Sequence, residues 1–110
     1  MTMQYLKLFE PSVLAAAAGT IFTVAAGQLL RGGIVRLTNT TVAPVTATLY
    51  AVPSGGALGP ANACFPTKNI PANDYIDVAL PLMRAGDFLQ AVAGAAASIS
   101  ISAMSGANFS

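Results

Sequence analysis

Ser98-Ile99-Ser100-Ile101-Ser102-Ala103 alternates polar and apolar residues with a period of two. An extended chain points successive side chains to opposite faces, so this stretch reads as a β-strand with one buried face. The same alternation recurs upstream. Val45, Ala47, Leu49 and Ala51 interleave with Thr46, Thr48 and Tyr50, and Ile76, Val78 and Leu80 with Tyr75, Asp77 and Ala79. β-Branched and aromatic residues, which fit a pleated surface, are plentiful in these runs. Residues 34–40, 87–93, 20–25 and 4–9 are further strand candidates. Phe88-Leu89-Gln90-Ala91-Val92 alternates poorly, which suits a strand covered on both faces.

Turn residues separate the runs: Gly32-Gly33, Val42-Ala43-Pro44, Pro53-Ser54-Gly55-Gly56, Pro71-Ala72-Asn73, Pro81 and Ala85-Gly86. No amphipathic helix is present, because Ala15-Ala16-Ala17-Ala18 is too short to nucleate one in water. About seven to eight short antiparallel strands with regularly spaced turns describe an all-β, single-domain β-sandwich, Ig-like or jelly-roll. The expected layout is an N-terminal arm over residues 1–12, the sandwich over 13–106 and a C-terminal tail over 107–110. The longest irregular segment, 53–71, holds four of the seven prolines and three of the ten glycines and reads as a long loop. Loops of that length in compact domains are commonly functional or contact elements.

Composition narrows the function. Of 110 residues only 8% are charged, five basic and four acidic, against about 25% in ordinary soluble domains. A monomer with so few charges exposes much neutral surface, which belongs against a partner, another copy or a lipid. Five scattered basic residues make no nucleic-acid footprint. One cysteine, Cys64, provides neither a disulfide framework nor a Cys-rich zinc site, and the chain has no histidine. Residues 11–30, PSVLAAAAGTIFTVAAGQLL, carry no charge and have the length of a membrane span. Alanine dominates there, however, and Gly19-Thr20 and Gly27-Gln28 break the stretch, so we read buried strands and turns. Anchoring to a membrane through 11–30 is the alternative.

No catalytic, cofactor or metal site emerges. The glycine-rich Ser54-Gly55-Gly56-Ala57-Leu58-Gly59-Pro60 lacks the Gly-Lys-Ser/Thr of a phosphate loop, and Arg31-Gly32-Gly33 reads as a hairpin turn. Asn39-Thr40-Thr41 and Asn108-Phe109-Ser110 match the glycosylation pattern without a secretory segment to support it. Asp74 and Asp77, three apart on a strand, face opposite ways, so Asp74 reads as a turn cap and Asp77 as part of a solvated face. Asp87 reads as a turn residue feeding a strand, and Cys64 has no His to activate it. What remains is adhesion. Tyr5, Leu6, Leu8 and Phe9 on the arm, with Leu58, Phe65 and Lys68 on the long loop, are the expected interface residues, since large apolar and aromatic side chains carry most interface energy.

Thr48-Leu49-Tyr50-Ala51-Val52-Pro53-Ser54-Gly55-Gly56, followed by Gly59-Pro60-Ala61-Asn62, resembles a segment of small virion proteins of tailed bacteriophages. In those chains a strand ends in a Leu-Tyr-x-Val-Pro-x-Gly-Gly turn. An Ala-Gly-Asp turn then opens a later strand, as in Ala85-Gly86-Asp87-Phe88-Leu89-Gln90-Ala91, and an alternating strand ending in Ser-Gly closes the chain, as in residues 99–106. The resemblance spans residues 33–106. It implies a non-catalytic virion protein, a homo-oligomer (trimer or ring) whose partners are the major capsid protein or other virion proteins. Capsid decoration or cement is the leading role, with a neck, tail or fibre-attachment ring as the alternative. A carbohydrate-binding module fits poorly, because the chain has no Trp and three Tyr.

Overall fold

The computed structural model describes the backbone of residues 3–5, 8–57 and 59–109, and the side chains of 8–57 and 59–107. Ten strand segments follow one another: β1 (Met3–Tyr5), β2 (Ser12–Val13), β3 (Gly19–Thr23), β4 (Leu29–Asn39), β5 (Val45–Val52), β6 (Ala63–Ile70), β7 (Tyr75–Ala79), β8 (Met83–Arg84), β9 (Phe88–Ala93) and β10 (Ile99–Phe109). Sheet 1 has the order β1-β10-β4-β7, with β2 sharing the β1 side of β10 and β8 sharing the β7 side of β4. Sheet 2 has the order β3-β9-β5-β6. Strand pairs in both sheets are antiparallel.

Each sheet therefore has four lanes; β1 and β2 share one lane, as do β7 and β8, and between lanes the chain crosses to the other sheet at every connection except β5 to β6. That winding, with the first and last strands side by side, selects the jelly roll over the Ig-like arrangement. The core lies between the sheets. Leu30, Leu37, Leu49, Ile70, Leu89, Ile99 and Ile101 are fully buried. Each such side chain contributes about 1.5–3 kcal/mol of transfer free energy. Ile99 and Ile101 are the inward residues of the Ser-Ile-Ser-Ile alternation, paired with Asn39 and Leu37 on β4. On β5 the inward series Val45, Ala47, Leu49 continues to Ala51, which packs against the core opposite Leu89, while Val52, opposite Phe88, is buried outside the core cluster. On β9 the inward residues Leu89, Ala91 and Ala93 are buried, while Phe88, Gln90 and Val92 are half-buried by their neighbours.

Three expectations need correction. Gly32-Gly33 is not a hairpin turn: it lies inside β4, which continues for 11 residues. Gly32 takes φ +66°, its carbonyl accepts from Ser105 Oγ at 2.9 Å, and the register with β10 shifts between Ala103 and Ala107. The glycines thus serve a bulge that bends two long central strands together. Secondly, 53–71 is not one loop. Irregular chain and a short 3-10 turn, Pro60–Asn62, occupy its first half, and β6 occupies its second. Pro66 lacks the N–H of a central strand, but β6 is an edge strand and tolerates it. Thirdly, residues 11–30 form β2, β3 and the start of β4, with Leu14 and Val24 buried. Among the described residues no helix is long and apolar enough to cross a membrane, so helical anchoring through 11–30 is overturned.

Gly86 joins two turns. It has φ +86°, and a Cβ there would lie 2.6 Å from Ser54 Oγ. Gly86→Ala is expected to cost about 1–2 kcal/mol through backbone strain and this clash. Thermal unfolding measures it; an unchanged melting temperature would mean the turn rearranges freely.

Candidate assembly interface

The expected contact residues fall into different environments. Since β1 pairs with Ala107–Phe109 of β10, the arm and the tail are neighbouring strands of one sheet. The connection from β1 to β2 then runs over the bulge. Leu8 is half-buried there, with its Cδ1 2.9 Å from where a Cβ on Gly106 would stand. Phe9 stacks on Phe22 of sheet 2, ring centroids 5.5 Å apart, and both Leu8 and Phe9 pack against the core. Phe65 is itself a core residue, 7% exposed. Lys68 is exposed on β6. Tyr5 lies on β1 opposite Ala107, with its side chain outside the described residues, as are Leu6 and Leu58. The described apolar anchors therefore make their contacts within the chain.

The outer face of sheet 1 presents a different set. The ladder aligns Val13, Ser100, Thr38 and Tyr75 in one row across β2, β10, β4 and β7. Ser102, Arg36 and Asp77 form the next row, and Ser105, Ile34 and Ala79 a third. Arg36 Nε donates to Asp77 Oδ1 at 2.8 Å and Nη2 to Oδ2 at 3.1 Å, a two-pronged pair. The same guanidinium lies 4.1 Å from the centroid of the Tyr75 ring. Its hydrogen bonds hold the Asp77 carboxyl below the usual range and push the Arg36 value up. A depressed carboxyl supports the fold above its unfolded pKa, and that support is lost as acid protonates Asp77. On so exposed a pair the effect is slight. Asp74 is separate: its Oδ1 accepts from the Tyr75 N–H at 2.7 Å, a local cap at the start of β7.

Sequence reasoning read Asp77 as a solvated residue but missed its partner, because Arg36 is 41 positions away. Strand phase alone places Tyr75, Asp77 and Ala79 on one face; only the β4–β7 register adds Arg36.

The remaining candidates have structural roles. Asp87 clasps one end of the sandwich, its Oδ1 accepting from the Ser54 N–H at 3.0 Å and its Oδ2 from the Arg84 N–H at 2.9 Å. The Pro53-Ser54-Gly55-Gly56 and Ala85-Gly86-Asp87 turns, distant in sequence, thus meet. Asn39 is fully buried with its carboxamide nitrogen donating to the carbonyls of Ala43 and Ile70, so the folded chain offers no glycosylation acceptor there. Among the described residues no group of three or more Cys, Asp or Glu side chains comes together. Cys64 on β6 is half-buried, and burial pushes its thiol up. Thiol-specific labelling of the folded protein is therefore expected to be about tenfold slower than that of the urea-unfolded chain. Equal rates would mean that β6 opens readily.

The winding and satisfied interior define a jelly-roll sandwich. No protein-family model matches the chain, and no curated protein matches it. Among solved structures it is similar to a chain from Bacillus endospore appendages, described as a novel family of disulfide-linked pili. That match has 21% identity over 99% of this chain and 88% of the other, with a TM-score of 0.58. It is also similar to a chain of infectious bursal disease virus, Gx strain, with 16% identity over 97% of this chain and a TM-score of 0.52. A crystal structure of the viral particle gives 13% identity, 97% coverage and a TM-score of 0.53. This chain spans 32% and 30% of those two virus chains. At such identities the likeness is one of fold.

Proposed function

We propose that this chain is a non-catalytic structural subunit of a virion, and specifically a bacteriophage capsid decoration or cement protein. The observation that carries this reading is a whole-length jelly roll whose strands bear very few charges. Sheet 2 holds a single charged residue, Lys68, and sheet 1 holds four, Arg31, Arg36, Asp77 and Arg84, of which Arg36 is joined to Asp77. Such a surface is suited to contact with protein. The pilus and virus chains of the same fold support an assembled role. The resemblance to tailed-phage virion proteins supports the finer one, and its two turn motifs are the ones that Asp87 clasps together. Many copies, each making modest contacts with shell subunits and with one another, would brace a capsid by multivalency.

A neck, tail or fibre-attachment ring uses the same sandwich at lower copy number. A filament subunit is a second reading, favoured by the end-to-end match with the pilus chain. A disulfide-linked polymer would need at least two bridging cysteines per subunit, and this sequence has one.

Add-back to particles lacking the protein tests the decoration role. The purified chain is expected to bind bare shells to saturation and to raise the temperature at which they release their genome. Absence of binding to intact shells would reject decoration.

A further inference from the structure

We infer that the outer face of sheet 1 docks against the same face of a second copy of this chain. This rests on the reading of the protein as an assembly subunit and names the surface it would use. Val13 and Tyr75 are among the chain's exposed large hydrophobic residues, at 59% and 52% exposure, and both lie on this face, with Met104 exposed at the β10 bulge. On sheet 2 the large outward side chains Tyr50, Phe88 and Val92 are already half-buried against their neighbours. Solvated faces of antiparallel sheets ordinarily carry polar and charged side chains. Here the rows hold Ser, Thr, Ala, Ile and Val, and their charges are one cation and one anion, joined.

Three features select a second copy. First, the face complements itself. A two-fold axis parallel to the strands and between β4 and β7 sets Arg36 of one copy opposite Asp77 of the other. Ser100 and Ser102 carry hydroxyls that both donate and accept, so they can bond to their own kind. Secondly, the area fits. Two eleven-residue strands flanked by the shorter lanes β1 with β2 and β7 with β8, at about 3.4 Å per residue and about 4.8 Å per lane, give on the order of 500–600 Å². That approaches the roughly 800 Å² per partner of a standard interface. Thirdly, other occupants lack a handle. The three rows carry one cation matched to one anion and so offer no net charge to a nucleic acid or an acidic peptide, Arg31 and Arg84 lying apart at the other end of the sheet. The Tyr75 ring that would stack on a sugar is covered by Arg36.

Sedimentation velocity across roughly 10 µM to 1 mM tests the contact. The weight-average mass of the wild type is expected to rise from the 11.1 kDa monomer toward the dimer. Ser102→Lys and Val13→Asp should each stay monomeric throughout, with unchanged circular dichroism. To identify the occupant, Ser102→Cys is made in a Cys64→Ser background and oxidised, with Thr23→Cys on β3 as the comparison. Covalent dimer should form at least tenfold faster at position 102. A wild type that stays monomeric, association that survives both charged variants, or equal cross-linking at 102 and 23 would each overturn the proposal. If it fails while the protein is still found on shells, the virion role stands and only this surface is rejected.

Discussion

Asn39→Ala is expected to lower unfolding free energy by about 2–4 kcal/mol, because it strips a buried carboxamide from four partners. The side chain is fully buried at the end of β4. Its Nδ2 donates to the carbonyls of Ala43 and Ile70, each at 2.9 Å. Its Oδ1 accepts from the Thr41 N–H at 2.9 Å and from Thr41 Oγ1 at 2.7 Å. One residue thus ties the last strand position of sheet 1 to the loop before β5 and to the end of β6 in sheet 2. Alanine takes the carboxamide donor from the buried Ile70 carbonyl, while the Ala43 carbonyl keeps its bond from Thr41 Oγ1, and a buried group left short of partners costs more than its bond contributes net. For a domain near this size the melting temperature should fall by about 10 °C or more. Urea denaturation and calorimetry measure both. A loss under about 0.5 kcal/mol would show that water takes over the carboxamide's partners.

Phe65→Ala has the other large expected effect, about 3–5 kcal/mol. Read from sequence, Phe65 sits in an irregular loop as an apolar anchor for a partner. In the structure it points inward from β6, opposite Leu49, and belongs to the core cluster. Its truncation opens a cavity between the sheets, so the isolated chain should lose stability whether or not a partner is present. Denaturant titration of the purified variant distinguishes the two roles. Full stability together with weakened assembly would return Phe65 to the interface.

Both residues take their roles from contacts distant in sequence, which a local reading does not see. Period-two alternation is local, and so Ile99, Ile101, Val78 and Val45 are assigned inward correctly from their neighbours alone. Turn residues with fixed backbone demands, such as Gly55 and Gly86 at positive φ, are equally legible. The failures need information from another strand. Gly-Gly within β4 serves a bulge, which is defined only against Ser105 and Ala107 on β10. Pro66 argues against a strand unless that strand is known to be at an edge. Leu8 and Phe9 look adhesive until β1 is seen pairing with β10, after which they lie over Gly106 and Phe22. The outer face of sheet 1 is invisible in sequence for the same reason. Val13, Arg36, Tyr75 and Ser102 come from four strands that only the jelly-roll winding brings side by side.

Low charge is the sequence feature that survives translation into structure most directly. It shows as a sheet 2 whose only charged residue is at its edge, and as a sheet 1 with four charged residues, Arg36 and Asp77 paired with each other and Arg31 and Arg84 toward one end.

The copy number of this chain in purified particles, measured by quantitative mass spectrometry against the major shell protein, tests the central claim most directly. A ratio of one per shell subunit, or a simple fraction of it, is the expected result. A handful of copies per particle would contradict decoration and place the protein in a neck, tail or fibre ring, and absence from particles would contradict a virion role altogether.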